Sequence, residues 1–368
     1  MGMVKALEQA NVADLDGIVA RLAPEEREVF ERIFRVSVAE GALIPPPEMH
    51  AWIARLFGSV EATLKQKIVK VTNMVTLDGA LFNELRSRRP IDMKENLTLK
   101  EEIENHEGDP FCKPETGTPA DVFGRVRGQH SITASNVAKY DTFSGLVIFD
   151  EHNPLVFTRE MVHDYIEVAL EWGRLAHGVD PLAKYLFIMW NCLWKSGATL
   201  VHGHFQMTLT RDMHYPKVEG LRRAAVAYRD QHGRDYFEDL YRAHAMVGCA
   251  FERGGTRVLA NLAPVKEKEV LLVSYNLDDG IKDAIYEVAE SMTKAMGVVS
   301  FNLVLYMPPV ADVEEDWSGF PFMARMVDRG DPATRNSDMG AMELYASSVV
   351  SSDPLAVARV LKERMRGE

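Results

Sequence analysis

Cysteine is scarce in this chain of 368 residues: Cys112, Cys192 and Cys249 stand far apart and odd in number. They offer no disulfide framework, and a reducing cytoplasm is the expected compartment. Long hydrophobic runs are missing too. The most apolar stretch, YLFIMWNCLW, falls well short of the roughly 18–20 residues that a membrane-spanning helix needs. The opening MGMVKALEQANVADLDG lacks the apolar core of a signal peptide, and Ala6 departs from the Ser or Thr of the myristoylation pattern. Basic charge is in deficit, with 42 Lys+Arg against 54 Asp+Glu and a formal net charge of −12. That removes the basic footprint of a general nucleic-acid or anionic-membrane binder. A small polyanion held by a few local arginines stays compatible with it.

What is present is an ordinary globular composition, 46% hydrophobic and 26% charged, enough for a sizeable core. The length suggests two or three units. Residues 1–70 are expected to form a helical extension, since APEEREVFERIFRVSVAEGAL, PPPEMHAWIARLFG and SVEATLKQKIVKV all show helical spacing or starts. From Thr72 the pattern becomes mixed. SGLVIFD reads as a strand, TREMVHDYIEVALEWGRLAHG as an amphipathic helix capped by Thr158, and KYLFIMWN and LVHGHFQMTLT as two strands. The order returns in KEVLLVSY, a helix over NLDDGIKDAIYEVAESMTKAMG, then FNLVLYM and FPFMARMV. A strand over AMELYASSVV and a helix from Asp353 to Arg366 close the chain. The repeated order points to a degenerate internal duplication, with one repeat over 71–240 and the second over 241–368.

The stretch GATLVHGHFQM places His202, His204 and Gln206 at alternate positions of an apolar strand. Alternation puts all three on one face, with Gly203, Phe205 and Met207 on the other. Buried imidazoles and an amide need partners or a task.

NCLWKSGATLVHGHFQ resembles the active-site segment of galactose-1-phosphate uridylyltransferases and the related nucleotidyltransferases and phosphorylases of the histidine-triad superfamily. Their pattern is an Asn, a Gly-containing phosphate loop, and His-x-His-x-Gln. It is matched here by Asn191, Gly197, Thr199, His202, His204 and Gln206. Members with uridylyltransferase activity mostly carry Pro between the histidines, where this chain has Gly203. LFNELRSRRP is similar to the family's Arg-x-x-Arg-Pro signature, and DEHNPL to the segment that carries a metal-binding His. The resemblance covers about residues 72–350 and is strongest at His-x-His-x-Gln. It implies an α+β fold of two tandem histidine-triad-like repeats, each an antiparallel sheet with helices on one face, behind the N-terminal helical extension.

The resemblance implies a covalent double displacement. His204 would be the nucleophile, Gln206 would steady the charge that builds on phosphate, and His202 would orient the site or bind metal. Gly197 and Thr199 would cradle phosphates, Arg86 and Arg89 would neutralise them, and Asn191 and Asn302 would line the substrate pocket. The chemistry suits imidazole, which is largely unprotonated near neutral pH. Relatives hold a structural zinc with a Cys-x-x-Cys pair and two histidines. Here Cys112, Glu115, His152 and His202 would supply that set, with Glu115 replacing one thiolate. A second metal of some relatives is not expected, because Tyr306, Met323 and Arg325 stand where its histidines would fall.

The leading expectation is transfer of a nucleoside monophosphate from a nucleotide sugar to a sugar 1-phosphate. A phosphorylase acting on a dinucleoside polyphosphate or a nucleotide sugar is the alternative, and a nucleotide-binding regulatory protein without turnover a second one. A cytoplasmic homodimer is the assembly that the resemblance implies.

Overall fold

The structure is a computed structural model and describes residues 9–83, 85, 98–334 and 337–367. Its strands are β1 (Phe34–Ala42), β2 (Lys65–Asn73), β3 (Gly79–Phe82), β4 (Ser131–Ser135), β5 (Phe143–Phe149), β6 (Ala183–Cys192) and β7 (His204–Arg211). They continue with β8 (Ala250–Arg253), β9 (Thr256–Ala260), β10 (Glu267–Ser274), β11 (Phe301–Tyr306), β12 (Phe322–Asp328) and β13 (Ser348–Val350). The helices of eight or more residues are α1 (Pro24–Ile33), α2 (His50–Phe57), α3 (Arg159–Val179), α4 (Pro216–His232), α5 (Tyr236–Met246), α6 (Asp279–Lys294) and α7 (Pro354–Arg366).

Nine strands form one antiparallel sheet in the order β4-β5-β7-β6-β11-β12-β10-β9-β8. Counted outward from the central β6–β11 pair, the two halves match: β6-β7-β5-β4 on one side and β11-β12-β10-β9 on the other. A helix joins the second and third strands of each half, α3 in the first and α6 in the second. This is the expected α+β duplication, and its two halves share a single sheet. The divisions expected at residues 70 and 240 fall inside β2 and α5.

Strand alternation builds the core. Leu186, Ile188 and Trp190 of β6, Phe205 and Met207 of β7, and Leu303 and Leu305 of β11 point to one face. There they meet Tyr165, Ala169 and Trp172 of α3 and Ile285 and Val288 of α6. Thr158 caps α3 by accepting from Met161 N, and Asp278 caps α6 by accepting from Gly280 N. The opposite face is covered over the second half by α1, α4 and α5, through Phe30, Tyr228, Phe237 and Leu240. Helices on one face therefore describes the first repeat, while the second is covered on both. Over β6, β7 and β11 the opposite face stays partly open at Asn191, Met189, Gln206 and Asn302.

The N-terminal segment departs from the helical expectation. α1 stops at Ile33, and RVSVAEGA continues as β1, paired antiparallel with β2 from Phe34↔Asn73 to Ala42↔Lys65. In β2 Val69, Val71 and Asn73 are buried at alternate positions, a period of two that outweighs the local helical pattern. The C-terminal AMELYASSVV also differs. Ala341–Tyr345 is a short helix, and only Ser348–Val350 forms a strand, parallel to β3.

In the second half Arg325 of β12 donates through Nε and Nη2 to Glu269 Oε1, at 2.9 and 2.7 Å. Glu269 is buried and also accepts from Asn261 Nδ2 and Val265 N, both at 2.8 Å. A carboxylate so enclosed leaves a stranded cation when removed. Glu269→Ala is expected to lower unfolding stability by about 3 kcal/mol, measured by urea denaturation. A loss within 0.5 kcal/mol or so contradicts this role for the pair.

Candidate active site and metal centre

The metal cluster forms where two loops meet the lead-in to β7. Asp109, Cys112, His152 and His202 bring one ligand atom each to within 4.8 Å of one another. Cys112 Sγ lies 3.4 Å from His152 Nδ1 and 3.5 Å from His202 Nδ1, and the two Nδ1 atoms are 3.1 Å apart. Asp109 Oδ1 is 3.6 Å from His202 Nδ1. A tetrahedral zinc with about 2.0–2.1 Å to nitrogen and about 2.3 Å to sulfur sets ligand separations of roughly 3.3–3.6 Å. The spacing fits.

Backbone carbonyls decide the proton positions. His152 Nε2 is 3.1 Å from Ile103 O and His202 Nε2 is 2.8 Å from Phe149 O. A carbonyl only accepts, so both Nε2 atoms carry hydrogen and both Nδ1 lone pairs converge. Two facing lone pairs repel unless a cation lies between them. Asp109 Oδ2 is buried and has no hydrogen-bond partner, a second sign that this set suits a cation.

Three of the four residues expected for the metal are thus brought together, and Glu115 is not. It is exposed, on the short helix Pro114–Gly117. Asp109 takes its place. The pair is Asp109-Pro110-Phe111-Cys112, in which the first position of a Cys-x-x-Cys spacing has become Asp. Asp109 also caps the following turn, accepting from Phe111 N at 2.8 Å and Cys112 N at 3.2 Å. That spacing could have been found in the sequence by testing both directions from Cys112.

His204 opens β7, so His202 precedes the strand instead of sharing its alternation. His204 and Gln206 do share a face. His204 Nδ1 is 2.8 Å from the carbonyl oxygen of His202. By the same rule Nδ1 carries hydrogen and Nε2 presents its lone pair. Burial lowers the His204 pKa below its ordinary value, which keeps the ring neutral. Phe111 meets the His204 ring edge to face, with centroids 5.1 Å apart.

Two amides flank this imidazole. Gln206 accepts from Tyr140 Oη at Oε1, 3.2 Å, so its NH2 group is left to the open side. Asn191 pairs with Asn302 in the β6–β11 register. One step beyond the pair Trp190↔Phe205 it stands across from His204. Asn302 donates to Asn191 Oδ1 at 2.6 Å. Tyr140 and Phe111 were not singled out in the sequence, because each acts through a fold-dependent contact with no motif of its own.

The loop between β6 and β7 runs through Leu193 (φ 67°) and Gly197 (φ 99°). The left-handed backbone suits glycine at 197 and is strained at Leu193. Ser196 Oγ closes the turn on Cys192 O and Leu193 O at 2.9 and 2.8 Å. Gly197 and Thr199 are exposed. Arg86 and Arg89 lie outside the described residues.

Against solved structures the chain is similar to an ADP-glucose phosphorylase from Arabidopsis thaliana with bound ADP-glucose, at 16% identity and TM-score 0.58, over 78% of this chain and 96% of that one. It is also similar to a GalT-like protein from Arabidopsis thaliana, at 16% identity and TM-score 0.56, over 80% and 98%. A uridylyltransferase matches at 14% identity and TM-score 0.56, again over 80% and 98%. No family model matches, and no curated protein matches in sequence. The chain shares the fold of these three proteins. Among the described residues no helix is long and apolar enough to cross a membrane.

Gly203, between the two histidines, faces the core. A Cβ there would come within 2.5 Å of Phe149 Cδ2 and 3.3 Å of Pro154 Cα. Its N–H donates to His152 O and its carbonyl accepts from Phe149 N, both at 3.0 Å. Glycine here is set by the Phe149 ring, which stacks on Tyr165 at 3.7 Å. Gly203→Ala is expected to lose about 1–3 kcal/mol of stability by overpacking, and Gly203→Pro more, through loss of the donor. Thermal unfolding measures this; an unchanged Tm with an altered nucleotide preference contradicts it.

Proposed function

We propose that this chain transfers a nucleoside monophosphate through a covalent nucleotidyl-His204 intermediate. The observation that carries the reading is the 2.8 Å contact of His204 Nδ1 with the His202 carbonyl, which leaves Nε2 as a free nucleophile beside the Gln206 amide. Nε2 attacks the α-phosphorus of the donor. The bond to the leaving phosphate oxygen breaks, and that oxygen keeps the electron pair. The imidazolium so formed is steadied by its Nδ1–H bond to the carbonyl, and the Gln206 NH2 donates to a non-bridging oxygen as charge builds there. A second phosphate oxygen then attacks the same phosphorus from the acceptor, and the neutral imidazole is restored.

The acceptor we favour is a sugar 1-phosphate, with a nucleotide sugar as donor. Inorganic phosphate as acceptor is the second reading, supported by the shared fold with the ADP-glucose phosphorylase. Asn191 and the loop over Gly197 and Thr199 would contact the donor phosphates, and Arg86 and Arg89 would neutralise them. Asn302, whose NH2 is engaged with Asn191, would border the pocket.

Asp109, Cys112, His152 and His202 would hold a structural zinc, the thiol binding as thiolate. The ion would tie the 109–112 turn to the residue two places before the nucleophile, fixing the carbonyl that His204 Nδ1–H addresses. The sheet and its two repeats would then divide the work, with the first half reacting and the second supporting it.

Incubation with ADP-glucose or UDP-glucose, without acceptor, should add one nucleoside monophosphate to the intact mass, and His204→Ala should abolish the adduct. A broad panel of nucleotide sugars and dinucleoside polyphosphates that leaves the wild type unlabelled contradicts the covalent reading and favours a binding protein. Elemental analysis of the purified chain should find zinc near one per chain. Asp109→Ala and Cys112→Ser should lose it with a fall in Tm, while Glu115→Ala should keep it. Retention of metal by the Asp109 and Cys112 variants overturns the assignment.

A further inference from the structure

Arg329 follows directly on β12 in the second half, and its side chain reaches the pocket indirectly. Its Nε and Nη2 grip Asp338 at 2.6 and 3.0 Å, and its backbone N–H donates to Ser300 O at 2.9 Å. With guanidinium and main chain both fixed, Nη1 donates to Asn302 Oδ1 at 2.5 Å. Asn302 Nδ2 in turn lies 2.6 Å from Asn191 Oδ1 and 2.9 Å from Ser196 O.

Only one arrangement of hydrogens satisfies this chain. Arginine cannot accept, so Asn302 must offer it the carbonyl oxygen; the Ser196 carbonyl cannot donate, so Asn302 must offer it hydrogen. Both Asn302 Nδ2 hydrogens are then used, one on the phosphate-loop carbonyl and one on Asn191 Oδ1. Asn191 is left with its oxygen engaged and its NH2 turned to the open side, across the β6–β7 pairing from His204.

We propose that Arg329 is a positioning residue that acts through Asn302 to hold the Asn191 amide with its NH2 toward the phosphate that His204 attacks. The second half thereby sets the direction of a donor in the first. The same segment docks on the loop itself: Lys195 Nζ donates to Thr334 O and Oγ1 at 3.1 and 3.2 Å, and Trp194 Nε1 to Pro332 O at 3.3 Å. Asn191 and Gln206 then form a matched pair, each amide with its oxygen held from behind and its hydrogens facing the nucleophile. The kinetic consequence rests on the reading of His204 as nucleophile; the orientation of Asn191 does not.

Asn302→Asp is the discriminating substitution. A carboxylate still accepts from Arg329, so that ion pair remains, but it can donate neither to Asn191 nor to Ser196 O. Asn191 should then turn its NH2 toward the introduced carboxylate and away from the pocket. In protein labelled with 15N-asparagine, the Asn191 side-chain amide, identified by its loss in Asn191→Ala, should exchange with solvent freely in the wild type. It should gain protection in Asn302→Asp. Nucleotidyl-adduct formation from ADP-glucose or UDP-glucose should slow roughly 100-fold, the cost of one lost donor to developing charge. Arg329→Met should also slow it, and Arg329→Lys, which can still donate to Asn302, should recover most of the rate.

In an Asn191→Ala background Arg329→Met should cost nothing further. Additive losses there, or Asn191 exchange that is the same in wild type and both variants, overturn the relay. A wild type that forms no adduct with any donor overturns the covalent reading instead, and the exchange measurement then decides the relay by itself.

Discussion

Three imidazoles in this protein have their protons placed by three backbone carbonyls, and the rest of the site depends on that. His152 and His202 give their Nε2–H to Ile103 O and Phe149 O, while His204 gives its Nδ1–H to His202 O. The same kind of hydrogen bond, made by opposite ring nitrogens, sorts the rings. Two turn Nδ1 lone pairs toward Cys112 and Asp109, as the proposed metal set requires, and one keeps an Nε2 lone pair, as the proposed nucleophile requires. A side chain can rotate to suit a substrate, but these carbonyls belong to the end of β5, to a helix terminus and to the chain beside the strand itself. The tautomers are therefore a property of the fold.

The sheet joins the two halves of the duplicated chain at its centre. Pairing of β6 with β11 puts Asn191 beside Asn302 and makes the two halves one surface. The second half has no counterpart of His204 on β12, whose positions 323 and 325 hold Met and Arg. Its contacts hold the first half in place: Arg329, gripped by Asp338, bonds Asn302, which bonds Asn191 and Ser196, and residues 332–334 meet the 194–195 turn.

Much of this was legible in the sequence where the signal is local. The alternation of His204 and Gln206, the cap at Thr158, and the strand–helix–strand–strand order all follow from spacing and short-range chemistry. The failures were of two kinds. Residues 34–42 and 65–73 carry both helical and alternating patterns, and only long-range pairing between them decides for strands. The contacts of Asp109 with the histidine pair and of Arg329 with Asn302 form only once loops distant in sequence meet, so no window around either reveals them. Glu115 was the wrong neighbour of the right cysteine: the cap that orients the turn lies three residues before Cys112, and the helix after it carries Glu115 to the surface.

The proton on His204 is the point at which the account stands or falls. Long-range 1H–15N correlation on histidine-labelled protein at neutral pH reads the tautomer of each ring directly. The account predicts hydrogen on Nδ1 of His204 and on Nε2 of His152 and His202. Hydrogen on Nε2 of His204 would leave no lone pair facing the pocket and would contradict its role as the nucleophile.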